Sequence, residues 1–255
     1  MDALKLWQAH RHAEAIAECR RRIAVNPGDL AAVDTLAGAL LSARSYQEAL
    51  PALERIGTHE RRDKVALGLS GRQLDIACLH WLMGNRLTAI MLMRGAVHGI
   101  LDSSIKFGDA AGGVEQGLLL YYMGLTADDP DSVPFAIKYL RNRAKRAAIH
   151  VWPGPLARYY LGDLGFEDVL AAATGQRNLA DAIKVARTDL LKRRQLVGAL
   201  FHDGVKKREE GAEAECLARM RECYALEDPL IELEWYLARH EVEQASAGVA
   251  LRASK

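Results

Sequence analysis

The chain has 255 residues and a mass of 28.1 kDa; half of its residues are hydrophobic and 26% are charged. With 34 Lys and Arg against 33 Asp and Glu the formal net charge is +1, which argues against a dedicated nucleic-acid binder, normally marked by a clear basic excess. Few aromatics (6%) among plentiful Ala, Leu and Arg favour helices over strands, and the length suits one or two domains that need no disulfide or metal staple.

Met1-Asp2-Ala3-Leu4-Lys5 opens the chain without the basic stretch and apolar run of a signal peptide. The next segment, HRHAEAIAECRRRIAVNPGD, reads as a helix around Ala15 that closes on Asn26-Pro27. His10 and His12 within it are two apart, so on a helix they point about 200° apart and do not share a metal. Residues 33–56, VDTLAGALLSARSYQEALPALERI, predict a helix–turn–helix unit. Leu36, Ala37 and Leu40 share one face, a break follows at Arg44-Ser45, and Tyr46, Ala49, Leu53 and Ile56 share the next.

A longer polar connection, THERRDKVALGLSGRQ, is expected before Leu74. Within it, His59-Glu60-Arg61-Arg62-Asp63 carries only the first half of a zinc-protease motif, and Gly68-Leu69-Ser70-Gly71 is misspaced for a nucleophile elbow. The plan of 33–56 recurs at 74–97 in Ile76, Ala77, Gly84, Ala89, Met93 and Ala96. His80 reads as core-facing.

Between 96 and 153 the pattern weakens into one divergent helical pair. Its first helix is expected over 110–125 after an Asp109 cap, and its second over 132–149, begun by Asp131-Ser132 with Pro134 in the first turn. The run Ala110-Ala111-Gly112-Gly113 either lends N–H groups to an anion or permits a tight helix start. Asp128-Asp129-Pro130-Asp131 reads as a loop and cap, too sparse in oxygens for Ca²⁺. The longest apolar run, 117–125, is about half of the ~18 residues a membrane span needs and reads as a buried helix.

Trp152 and Tyr159 stand at a Pro-bounded helix start, where they read as structural. Ala157, Tyr160, Phe166, Val169 and Ala173 continue the repeat. Residues 178–187 and 188–210 read as one long or kinked helical segment. Gly204, Gly211, Cys216, Met220 and Cys223 then repeat the plan, with Pro229 one place late. An amphipathic helix over 230–245 closes the chain, and 248–255 is expected to fray. Cys19, Cys78, Cys216 and Cys223 form no CxxC pair and lie in apolar periodic segments, so reduced, buried thiols in the cytoplasm are expected.

This succession resembles the tetratricopeptide repeat (TPR), in which small and large apolar residues recur at fixed offsets. Ala15 precedes Ala49 by 34 residues, the TPR period. The order Trp152, ARYYLG, a short helix, a polar helix, a Gly-punctuated repeat and a closing EWYLARHE helix, over 152–243, is similar in pattern to NlpI-type TPR proteins. Those are bacterial lipoprotein adaptors that hold cell-wall hydrolases. The lipobox Cys and export signal of that family are missing, so the resemblance extends to helix arrangement and protein binding and not to anchoring.

The resemblance implies an all-α fold, a TPR-like α-solenoid of antiparallel helix pairs over residues 1–247 with sub-blocks 1–105 and 106–247. It implies a concave groove lined by the first helix of each pair, where register places Asp34, Asp75, Trp81, Arg158, His202 and Arg208. Trp81 can equally pack between repeats.

Lys138, Arg141, Arg143, Lys145 and Arg146 put five cations within nine residues without an acid. This run suits an acidic partner or a phosphate backbone, or is a solvated face favoured near a helix C-terminus. Arg20-Arg21-Arg22 and Lys192-Arg193-Arg194 are similar. No phosphate loop, dinucleotide turn, metal cluster or catalytic constellation is read, so no cofactor is expected. The leading expectation is a non-enzymatic module that binds a protein or peptide, of adaptor or chaperone type. An immunity protein that neutralises a toxin, a nucleic-acid binder acting through the basic runs, and an enzyme with an unrecognised site are the alternatives. A homo-oligomer is left open; a membrane is not expected.

Overall fold

The structure, a computed structural model, describes residues 2–62, 68–105, 109–230 and 232–253, with side chains omitted at 61–62, 68–71 and 248–253. Asp63 and the side chains of the 68–71 motif therefore lie outside the described residues. No strand occurs among the described residues. The chain divides into two compact units, Met1–Gly108 and Asp109–Lys255.

The first unit holds α1 (Ala3–Gln8), α2 (His12–Val25), α3 (Leu30–Ser42), α4 (Tyr46–Arg62), α5 (Gly68–Leu82) and α6 (Arg86–Leu101). Each packs chiefly on its neighbours in the chain. The second holds α7 (Val114–Thr126), α8 (Ser132–Arg143), a 3-10 turn at Ala147–His150, α9 (Gly154–Tyr160), α10 (Phe166–Thr174), α11 (Leu179–Ala186), α12 (Leu190–Glu209), α13 (Glu213–Tyr224) and α14 (Leu233–Ala253). Here α12 is the hub, packing against α7, α9, α10, α11, α13 and α14.

One turn recurs through both units. At His10, Arg44, Gly84, Asp128, Gly162 and Gly211 the backbone enters the left-handed region, with φ between +53° and +83°. Each of these residues donates its N–H three residues back, and the next residue donates five back. Examples are Arg44 to Leu41 and Ser45 to Leu40, or Gly211 to Arg208 and Ala212 to Lys207. This is the Schellman closure of a helix C-terminus, which satisfies orphan carbonyls and reverses the chain. Glycine takes the left-handed conformation without steric cost, and it holds three of these six sites.

Around four of the turns the same two places hold small residues twelve apart: Ala3 and Ala15, Ala37 and Ala49, Ala77 and Ala89, Gly204 and Cys216. All eight are buried. A Cβ added at Gly204 would stand 3.2 Å from the Cys216 carbonyl and 3.1 Å from the Arg219 Cβ. Two helices cross closely at these points, and small residues permit the approach.

The boundaries differ from expectation for physical reasons. The polar connection after Ile56 is largely helical, since α4 runs on to Arg62 and α5 begins at Gly68. Helix α7 starts at Val114, because Gly112 and Gly113 stand at φ +89° and +91°. Helix α8 stops at Arg143, and 147–150 form a separate 3-10 turn. The segment 178–210 is two helices: Asp189 accepts from the Lys192 N–H and caps α12 anew. The closing helix begins at Leu233, since Leu230 has φ +61° and its N–H is taken by the Asp228 carboxylate. It runs to Ala253.

Helix α7 is buried from Val114 to Gly124 except at Glu115, and Gln116 lies fully inside. Neither atom of its amide meets a hydrogen-bond partner among the described residues. Burying an unmet amide costs more than burying a thioether of similar length. Gln116→Met is therefore expected to raise stability by about 1–2 kcal/mol, read as a higher urea midpoint at unchanged m-value; a lower midpoint would show that the amide is satisfied in solution.

Candidate functional site

In the first unit, α3, α4 and α5 bring four charged side chains together. Arg72 on α5 donates to Asp34 on α3 at 2.8 Å, to Glu60 at the end of α4 at 3.3 Å and to Asp75 on its own helix at 3.3 Å. Arg72 and Asp75 are one helical turn apart, and Asp34 is delivered by α3. Glu60 is the most enclosed of the carboxylates and Asp34, 49% exposed, the most open.

Burial drives the Asp75 carboxyl up to about 6, opposed by the Arg72 charge and assisted by the negative charges of Asp34 and Glu60. For Arg72, burial works against the charged form, and the three carboxylates outweigh it. Among the described side chains, three carboxylates thus share one guanidinium, with water access on the Asp34 side. Asp34 and Asp75 were expected in the groove and do meet. Glu60 and Arg72 were missed, having been assigned to a connection, and the helical run of α4 is what delivers Glu60.

Trp81, His202 and Arg208 are engaged elsewhere in the structure. Trp81 is 1% exposed, with the Arg86 guanidinium 5.2 Å over its ring, so it packs the core and does not line a surface. Arg158 is half-buried on α9. His202 is fully buried, because α12 is enclosed on all sides from Leu196 to Val205. Its Nδ1 pairs with the Tyr160 hydroxyl at 2.9 Å, and its Nε2 lies 3.4 Å from Glu234. It cannot meet a groove partner.

The adjacent Asp203 accepts from the Tyr159 hydroxyl at 2.6 Å and from Arg219 Nε at 2.6 Å. That bond gives Tyr159 the structural role expected of it. Arg208 is only 16% exposed and is committed to Glu241 at 3.0 Å, Glu213 at 2.7 Å and the Thr126 hydroxyl at 2.9 Å. It ties α12 to α7, α13 and α14 and is no reader of a partner.

The basic run divides. Arg143 is 2% exposed: its guanidinium lies 5.1 Å over the Tyr139 ring and donates to the Gly112 carbonyl at 3.3 Å. Burial pushes its pKa down. Lys138, Arg141, Lys145 and Arg146 are exposed. The two other basic runs are tied down. Arg20 pairs with Glu48, Arg21 with Glu18 and Arg22 with Asp29. Lys192 donates to the Thr174 carbonyl, Arg193 to Ala186, Arg187 and Glu227, and Arg194 to Pro229 and Leu230.

At the start of α7 the Asp109 carboxylate accepts from the Gly113 and Glu115 N–H groups at 2.9 and 3.1 Å. The chain's own acid fills that helix end, and the glycines serve the turn. Asp129 accepts from the Asp131 N–H and the Ser132 hydroxyl, a loop and cap in which Asp129 does the capping. His10 lies in a turn and not on a helix, so the 200° opposition does not apply, and its ring meets that of His12 edge-on at 5.8 Å. The four cysteines are buried thiols, and burial pushes Cys19 up to about 11 and Cys216 up to about 12. Among the described residues, no helix is long and apolar enough to cross a membrane.

No family model matches the chain, and a search of curated proteins finds no match to it.

Proposed function

We propose that the chain is a TPR-like helical-repeat module, not an enzyme, that holds a basic segment of a partner protein on the α3–α5 face. The helix-pair reading is supported by the recurring Schellman turn and by the small-residue pairs twelve apart, which stack helix on helix as repeat proteins do. The single observation that carries the binding role is the convergence of Asp34, Glu60 and Asp75 on one arginine. A partner Lys or Arg arriving at the open Asp34 side supplies the charge that the cluster lacks among the described side chains. The buried thiols support a reducing cytoplasm.

The face is tested with fluorescein-labelled octalysine, followed by anisotropy. Asp34→Lys is expected to weaken it about tenfold, since it turns the most accessible acid into a repelling charge. A cation favours the ionised form of Asp75, so wild-type affinity is also expected to rise as pH climbs through about 6. Equal affinity of the two proteins, with unchanged circular dichroism, would remove the α3–α5 face from consideration. Capture from native cell extract on wild type against Asp34→Lys then identifies the natural partner.

A further inference from the structure

We infer that Lys138, Arg141, Lys145 and Arg146 form a second docking surface, in the Asp109–Lys255 unit, that takes an acidic segment of a protein. All four side chains are exposed. None has an acidic partner among the described residues, whereas every member of the two other basic runs is held by a carboxylate or a carbonyl. Lys138 and Arg141 stand three residues apart on α8, and Lys145 and Arg146 follow in the turn directly after it, so the four cations make a short basic stripe that starts on the helix and runs off its end.

The opposite side of the same helix is anchored. The Tyr139 hydroxyl donates to the Gly113 carbonyl at 2.5 Å, and Arg143 reaches Gly112 at 3.3 Å, both from fully or nearly fully buried positions. Lys138 and Arg141 are therefore presented by a helix pinned to the start of α7, which lowers the ordering cost of binding.

Helix-end electrostatics do not account for the stripe. They favour Arg141 and Arg143 in the last turn. Lys138 lies more than a turn upstream of the helix end, and Lys145 and Arg146 lie past it. The chemistry selects a protein over a nucleic acid. A dedicated nucleic-acid binder carries a clear basic excess over the whole chain, and here the net charge is only +1. The stripe's neighbouring aromatic, Tyr139, is turned inward and offers no face for a base to stack on. Asp or Glu side chains spaced three to four residues apart on a partner helix match the spacing of the cations.

The test uses labelled octaglutamate as probe at low salt. Wild type is expected to bind it, with affinity falling as salt rises, and the variant Lys138→Glu/Arg141→Glu/Lys145→Glu/Arg146→Glu to bind at least about tenfold more weakly. These positions are exposed, and circular dichroism checks that the variant folds. Asp34→Lys is expected to keep octaglutamate binding, so failure of the α3–α5 face and failure of this one are told apart. Equal binding by wild type and the quadruple variant, or no wild-type binding at low salt, overturns the proposal. So does tighter, stripe-dependent binding of a short DNA duplex or of phosphatidylserine vesicles than of octaglutamate. Stripe-dependent self-association in sedimentation would assign the surface to a second copy and overturn it as well.

Discussion

Asp203→Ala is expected to destabilise the Asp109–Lys255 unit by about 3 kcal/mol, the scale of breaking a buried ion pair from one side. The carboxylate is 1% exposed and joins three helices: it sits on α12, accepts from Tyr159 on α9 and accepts from Arg219 on α13. Burial and the neighbouring Asp203 both hold the Tyr159 phenol protonated, so it remains a donor. Removing the acceptor strands a phenol hydroxyl and takes from Arg219 its most enclosed partner. Arg219 keeps Glu222 at 2.6 Å and some water, which limits the loss. Tyr159→Phe alone should cost about 1 kcal/mol. The double variant should cost less than the sum, because both changes remove the same bond. Urea unfolding measures all three; a loss under about 1 kcal/mol for Asp203→Ala would mean that water reaches the carboxylate.

Arg208→Leu is expected to cost a similar amount at neutral pH, about 3 kcal/mol, and less in acid. Burial alone would raise the Glu241 pKa. The hydrogen bond and charge of Arg208, with the Tyr122 hydroxyl at 2.7 Å, outweigh it and bring the pKa below the ordinary value. A carboxylate whose folded pKa is depressed stabilises the fold above its unfolded value of about 4.3. That stabilisation is lost as pH falls through the lower folded value. Without Arg208, burial prevails and the sign reverses: the folded state then binds the proton more tightly, and the variant loses stability as pH rises past about 4.3. The difference between wild type and variant should therefore narrow towards pH 4, as measured by denaturant unfolding at a series of pH values. A difference independent of pH would exclude Glu241 as the group left stranded.

Local pattern carried much of the fold. Ala37 with Ala49 and Ala77 with Ala89 were legible because each pair brackets a turn between two helices long enough to show a face. Ala3 belongs to the same series as Ala15 and escaped notice, since the six residues of α1 are too few for a period. Arg143 was separable in principle: Ala136, Tyr139, Leu140 and Arg143 share the buried side of α8, away from the exposed Lys138 and Arg141. His202 was not. Periodicity treats a polar residue as outward-facing, and what meets the His202 ring inside is a hydroxyl 42 residues earlier in the chain. Glu60 and Arg72 likewise acquire meaning only from each other and from Asp34.

The two units distribute their packing differently, and this bears on how they come apart. In Met1–Gly108 the helices lean on chain neighbours, so loss of a terminal helix exposes one face and leaves the rest intact. Such packing is expected to let the end helices open first, which hydrogen exchange resolved along the chain would show. In Asp109–Lys255 one helix, α12, is shared by six others, and its centre holds the polar groups of His202 and Asp203 that must stay paired. Tyr159 and Tyr160 on α9, Arg219 on α13 and Glu234 on α14 face these two groups, so α9, α13 and α14 are coupled through α12 and are expected to open together.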